Sequence, residues 1–135
     1  MSEASEKVLG IRQLPIFPLP IVLMPFELLP LHIFEERYKR MFDDISLEKN
    51  IFGLSYFNPE ATISEKPAVG SVGCAAEVRE VQRLPEGRSN VLTMGIIRYK
   101  IVDFIESDAP YFVSEIEFFE DFKEDERRLE TLGGE

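Results

Sequence analysis

The chain holds one histidine and one cysteine, so a thiol–imidazole pair would have to be built from His32 and Cys74. Such a pair works only when the imidazole lies within hydrogen-bond reach of the sulfur and the thiol titrates low. His32 sits in the apolar run Leu31-His32-Ile33, where a histidine reads as a hydrogen-bonded barrel or interface residue. Cys74 stands between Gly73 and Ala75 in an alternating stretch and reads as a small buried hydrophobe with an inert thiol. One His and one Cys are too few for the usual zinc patterns. The carboxylate runs Asp43-Asp44 and Glu124-Asp125-Glu126 could serve as acid and base only inside a pocket that separates their pKa values. Their charged flanks make them solvated faces instead. No Gly-Lys pair exists to begin a phosphate loop, and no G-x-S-x-G elbow occurs. The expectation is a chain with no catalytic residue, metal ligand or cofactor site.

The elements that would carry these residues point to one soluble domain. The 135 residues are 44% hydrophobic and 30% charged, with eleven Phe, four Tyr and no Trp. That is enough apolar material to offset the ordering entropy of a single core. With one cysteine no intrachain disulfide can form, and Met1–Gly10 is polar, unlike a secretory signal, so a cytoplasmic location is expected. Leu14–Phe34 has the apolar length of a membrane span, but it contains Pro15, Pro18, Pro20, Pro25 and Pro30. An interior proline costs a helix about 3 kcal/mol, so this segment is extended and buried in protein, with no membrane partner. The net charge of −10 is concentrated late: residues 1–102 carry 12 Lys/Arg against 13 Asp/Glu, and residues 103–135 carry 3 against 12. An acidic end opposes a phosphate backbone, which needs clustered cations.

The proline-punctuated run reads as two short strands, about Arg12–Leu19 and Leu29–Phe34. Glu35–Ser46 is an amphipathic helix whose stripe is Phe34, Tyr38, Met41, Phe42 and Ile45, with Glu35–Lys39 and Glu36–Arg40 as surface pairs. Asn50–Phe57 is a strand closed by Asn58-Pro59. Val72, Cys74, Ala76 and Val78 alternate as a half-buried strand, with a bulge near Arg79–Glu80. Leu84-Pro85-Glu86-Gly87-Arg88 is a hairpin turn with Gly87 in the left-handed position. The return strand carries Leu92, Met94 and Ile96 on one face, bends at Gly95, then points Ile97, Tyr99 and Ile101 inward. Tyr111–Phe119 is a last strand, with Phe112, Ser114, Ile116 and Phe118 on one side, and Lys123–Leu132 begins a helix. About six strands with long bent hairpins point to a small closed or nearly closed barrel, mainly β with α. Residues 1–10 are expected to be a flexible lead-in, 11–121 the domain, and 122–135 an acidic terminal segment.

The order of these features resembles one family. Leu14-Pro15-Ile16-Phe17-Pro18-Leu19, then Pro25, then Leu29-Pro30-Leu31-His32-Ile33-Phe34 and Glu35-Glu36-Arg37-Tyr38 is similar to the opening of the Lon protease N-terminal domain. Val69–Val78, Leu84–Arg88, Gly95–Ile101 and Pro110-Tyr111-Phe112 resemble later segments of that domain, so the likeness spans about residues 12–121. Phe26-Glu27 departs from it, because family members often carry glycine there. The resemblance implies a PUA-like pseudo-barrel with a packed helix, a role in recognising protein substrates and in oligomer assembly, and no ATPase or Ser–Lys protease module in this chain.

Some large apolar residues around the second strand exceed what so small a domain can bury. Met24, Pro25, Phe26, Leu28 and Leu29 are the candidate patch for a protein or unfolded polypeptide partner. The alternative is a structural role, with the same residues forming a core edge or a contact between copies of the chain. RNA binding, known among PUA-like barrels, would have to use Arg79, Arg83, Arg88, Arg98 and Lys100. A small-ligand cage would lack Trp, its best wall.

Overall fold

The computed structural model describes residues 2–61 and 64–120. Six strands and two helices follow one another as α1 (Glu3–Lys7), β1 (Gln13–Leu19), β2 (Leu28–Ile33), α2 (Glu36–Ser46), β3 (Ile51–Tyr56), β4 (Val72–Arg83), β5 (Ser89–Ile105) and β6 (Phe112–Phe119). The helix expected over Lys123–Leu132 lies outside the described residues.

The long strand β5 organises the sheet. β4 pairs with it antiparallel from Ser89 to Lys100, while its other edge is shared. β2 occupies that edge over Ser89–Met94, and β6 over Arg98–Ile105. β4 continues to β3, β3 to β1 in parallel, and β1 to β6, which returns to β5. Five strands therefore close a ring, and β2 with the first half of β5 and the second half of β4 projects from it as a three-stranded leaf. The parallel β1–β3 pair needs a crossover, which the β2–α2 segment supplies. Two devices let one strand serve both ring and leaf: Ile96 is the extra residue in β5 beside Gly95, and Arg79 the extra residue in β4. Each bulge bends its strand and raises its twist. The bulge and bend expected at these places are both present.

Burial divides between two clusters. Leu14, Ile16, Ile51, Ala75, Ile97, Tyr99, Ile101 and Ile116 fill the ring, while Phe17, Phe52, Leu54, Cys74, Ala76 and Val91 meet Tyr38, Met41, Phe42 and Ile45 of α2 outside it. β1, β3 and the first half of β4 are thus buried on both faces. The half-buried reading of Cys74 and Ala76 therefore needs correction at Ala75, which is covered from inside the ring. The Tyr99 hydroxyl, deep in the ring, pairs with Ser55 Oγ at 2.6 Å. A Cβ on Gly73 would stand 2.4 Å from that hydroxyl, so the ring holds a tyrosine only because this strand position has no side chain.

The first ten residues are more structured than a lead-in. The Ser2 side chain accepts from the Ser5 N–H to cap α1, Ser5 Oγ donates to Glu120, and Lys7 reaches Glu77 at 3.1 Å. Val8 then inserts into the ring cluster and is 4% exposed. The single apolar residue that closes a barrel mouth is too short a signal for periodicity to find.

The helix begins one residue late, with Glu35 as its cap, and Phe34 is not part of its buried stripe. Phe34 is exposed and stacks on His32 with ring centroids 5.7 Å apart. The surface ion pairs also differ from expectation. Lys39 bonds Glu36 and the Glu86 carbonyl, and Arg40 turns forward to Asp44.

Candidate functional site

Alternation along β2 decides which side chains the leaf shows to water. Leu29, Leu31 and Ile33 point toward α2 and join its cluster, so Leu28, Pro30 and His32 face the other way and are exposed. Their partners on β5 are Met94, Leu92 and Asn90. In this half of β5 the buried residues are Ser89, Val91 and Thr93, not Leu92 and Met94, which are half-exposed. Leu92 and Met94 share one face as expected, but Ile96 does not share it, because the bulge switches the phase and buries it in the ring cluster. The outer face of the leaf is Leu28 and Met94, then Pro30 and Leu92, then a polar row. In that row His32 Nδ1 lies 2.8 Å from Asn90 Oδ1, and Asn90 Nδ2 donates to Gln82. Phe34 extends the apolar strip past His32.

The turn Met24-Pro25-Phe26-Glu27 lies beside this face, at the start of β2, where Glu27 stands next to Gly95 of β5. The Glu27 N–H donates to the Met24 carbonyl at 3.2 Å, and Phe26 has φ +73°. Proline second and a left-handed residue third define a type II turn. The turn is clamped to β5 from both sides, by Phe26 N–H to the Gly95 carbonyl and Gly95 N–H to the Glu27 carbonyl, while Glu27 Oε1 accepts from the Met24 N–H. A Cβ on Gly95 would lie 2.3 Å from the Met24 carbonyl, so glycine there is what lets the turn sit down. Phe26 is 76% exposed, Leu28 61% and Met24 41%.

Of the five residues expected to form the patch, Met24, Phe26 and Leu28 are exposed and Pro25 is half-buried beside them. Leu29 is not on this face, because strand parity turns it into the helix-side cluster. Pro30, Leu92, Met94 and Phe34 belong to the face and were missed. The alternation Leu28-Leu29-Pro30-Leu31-His32-Ile33 carried the signal, once Ile33 is taken as the inward residue.

The candidate reactive groups are kept apart. His32 lies on the outer face opposite Asn90, while Cys74 faces α2 opposite Arg98, eight positions further along β5. Cys74 is 1% exposed, and burial pushes its thiol up to about 11. Asp44 accepts from the Tyr111 hydroxyl at 2.6 Å and from Arg40, while Asp43 faces Arg83. Burial first, then that bond to Asp44, raises Tyr111 to about 12. Glu124-Asp125-Glu126 lies outside the described residues. Among the described residues no group of three His, Cys, Asp or Glu is placed to hold a metal, and no buried side-chain polar atom lacks a partner.

A groove of about 750 Å³ lies elsewhere, between the N-terminal turn of α2, Lys66–Val69 and the β5–β6 connection. Its cations are already engaged: Lys66 sits 4.6 Å over the Phe104 ring, and Arg37 pairs with Glu35 and Glu65. No helix among the described residues is long and apolar enough to cross a membrane.

Residues 13–133 match the family described as the ATP-dependent protease La (LON) substrate-binding domain. A Lon protease of Brevibacillus choshinensis is 30% identical over 126 residues, covering 91% of this chain and 16% of that protein. The chain thus spans about a sixth of that relative's length. Among solved structures, a Lon N-terminal domain protein from Xanthomonas campestris superimposes with a TM-score of 0.66 at 24% identity, over 82% of this chain and 61% of that one. The N-terminal domain of the Mycobacterium avium complex Lon protease gives 0.61 at 13% identity, over 80% and 55%. These two likenesses concern the fold. Because the family match covers nearly all of the sequence, the chain belongs to the Lon substrate-binding domain family.

Proposed function

We propose that this chain is a non-catalytic module that binds unfolded or exposed hydrophobic segments of other polypeptides on the outer face of the leaf. The observation that carries the reading is that face itself. Leu28, Pro30, Leu92 and Met94 lie side by side on two paired strands, flanked by Phe34 at one end and the Met24–Phe26 turn at the other. The exposed parts of Met24, Phe26, Leu28 and Phe34 alone amount to about 500 Å², taking about 200 Å² for a fully exposed side chain of this size. Exposed apolar surface of that order is often functional on a soluble domain. The rest of the fold explains why a segment would lie on the face rather than join the sheet. The Glu27–Gly95 bond sets the hydrogen-bonding phase of β2, so that Leu29 and Leu31 bond toward β5 and Leu28, Pro30 and His32 turn their backbone outward. Pro30 has no N–H, and its place in the middle of the free edge blunts strand addition.

Membership of a substrate-binding family supports a protein or polypeptide as the partner. A cytoplasmic location accords with the single buried thiol. A nucleic-acid partner is disfavoured because four of the five candidate cations, all but the exposed Lys100, are already engaged. Arg79 bonds Glu77, Arg83 faces Asp43, Arg88 turns back to the Pro85 carbonyl and Arg98 stacks over Phe119. The reading is tested by titrating the chain into fluorescein-labelled, carboxymethylated α-lactalbumin and following anisotropy. Saturable binding that Leu28→Asp abolishes is expected. Absence of binding by the parent chain, or undiminished binding by Leu28→Asp, would refute it, and so would assembly of the chain into dimers that bury the face.

A further inference from the structure

Every structural pressure at position 26 asks for glycine. The residue stands third in a type II turn at φ +73°, where a side chain crowds the following carbonyl and costs about 1–2 kcal/mol. Asn or Asp could soften that cost by local hydrogen bonding, and phenylalanine cannot. A bulky residue can still be stabilising overall if its ring is buried, but this ring is 76% exposed. Nor is the turn loose enough to relax the strain. Four hydrogen bonds hold it: the turn's own, two to Gly95, and the Glu27 carboxylate on the Met24 N–H. The fold therefore tolerates both strain and an aromatic ring in water at a place where removal of the side chain would relieve both.

We propose that Phe26 is the anchor of the docking face, the residue that determines affinity and aromatic or large aliphatic preference in the bound segment. This rests on the polypeptide-binding reading above and adds to it one residue and its manner of action. Because the turn is clamped onto β5, the ring is presented from a fixed backbone, and little ordering entropy remains to be lost on contact. Aromatic anchors of this kind dominate interface energetics, whereas the flatter contacts around them contribute mainly by excluding water. Leu28, Pro30, Leu92 and Met94 take that second role. Strain held at a place with no internal benefit is what a functional constraint leaves behind.

The experiment compares the parent chain with Phe26→Gly, Phe26→Leu and Pro30→Ser, each titrated against the same fluorescein-labelled, carboxymethylated α-lactalbumin, with thermal melts confirming that each variant folds. A loss of about tenfold or more in Phe26→Gly, a smaller loss in Phe26→Leu and a loss under threefold in Pro30→Ser are expected, since truncating an anchor is typically worth more than tenfold in Kd. Binding by Phe26→Gly within twofold of the parent would overturn the anchor while leaving the face as the docking surface. Equal losses in Phe26→Gly and Pro30→Ser would also overturn it, because affinity would then be spread over the face. If the parent chain does not bind, both readings fall.

Discussion

Replacing Phe26 by glycine and by alanine separates backbone strain from everything else the residue does. Both substitutions remove the ring, so whatever the 24% of Phe26 that is covered contributes is lost equally in each. The difference between them is a methyl group at φ +73°. At an ordinary position alanine is the more stable by about 0.4–1 kcal/mol, because glycine has more unfolded-state freedom to lose. Here alanine also incurs the left-handed penalty of about 1–2 kcal/mol, which glycine escapes. The balance favours glycine by about 0.5–1 kcal/mol, or roughly 2–4 °C in Tm for a domain of this size. Thermal melts and urea titrations of the two variants measure it, with equal m-values as the check that the unfolded states are comparable. If alanine proves the more stable, the turn relaxes without cost, and the inference that strain at residue 26 is maintained for binding fails with it.

Val8→Ala should destabilise by about 2 kcal/mol, combining lost transfer energy with a cavity at the ring mouth, while Leu9→Ala, 61% exposed, should stay within about 0.5 kcal/mol. Equal urea midpoints for the two would show that the N-terminal segment does not close the ring. Gly73→Ala should cost about 2–3 kcal/mol by overpacking, since its Cβ would meet both the Tyr99 hydroxyl and the Leu54 carbonyl within 2.6 Å. A melt like that of the parent would refute this crowding. Burial alone would raise the Glu77 carboxyl, but hydrogen bonds from Arg79 and Lys7 outweigh it and hold the group below its ordinary 4.5. A lowered folded pKa contributes stability that is present above the unfolded value and is lost as pH falls through the folded one. The stability gap between the parent and Glu77→Gln should therefore be constant above pH 5 and close below pH 4.5. A gap that widens on acidification would contradict the assignment.

Much of the fold was legible because it rests on local rules. The prolines of residues 14–34 excluded a helix, the apolar spacing from Tyr38 to Ile45 fixed the face of α2, and phase slips marked the bulges at Arg79 and beside Gly95. What stayed hidden depends on closure. Whether Leu92 or Val91 is buried turns on which side of the leaf α2 covers, and an alternating strand reads equally well in either phase. Leu29 was misplaced for the same reason, and Phe34 because a helical stripe can be extended by one residue without any penalty in the pattern. The left-handed Phe26 was foreshadowed as a departure from the family's glycine. Only the turn geometry gives that departure a physical meaning, by revealing that the exception lies where strain and exposure coincide.

The most direct test of the docking face is an NMR titration of isotope-labelled chain with unlabelled carboxymethylated α-lactalbumin. Backbone perturbations should cluster at residues 24–34 and 90–94, the two strands and the turn that build the outer leaf. Perturbations confined instead to the groove around Lys66, Phe104 and Tyr111, or to the exposed face of α2, would contradict it.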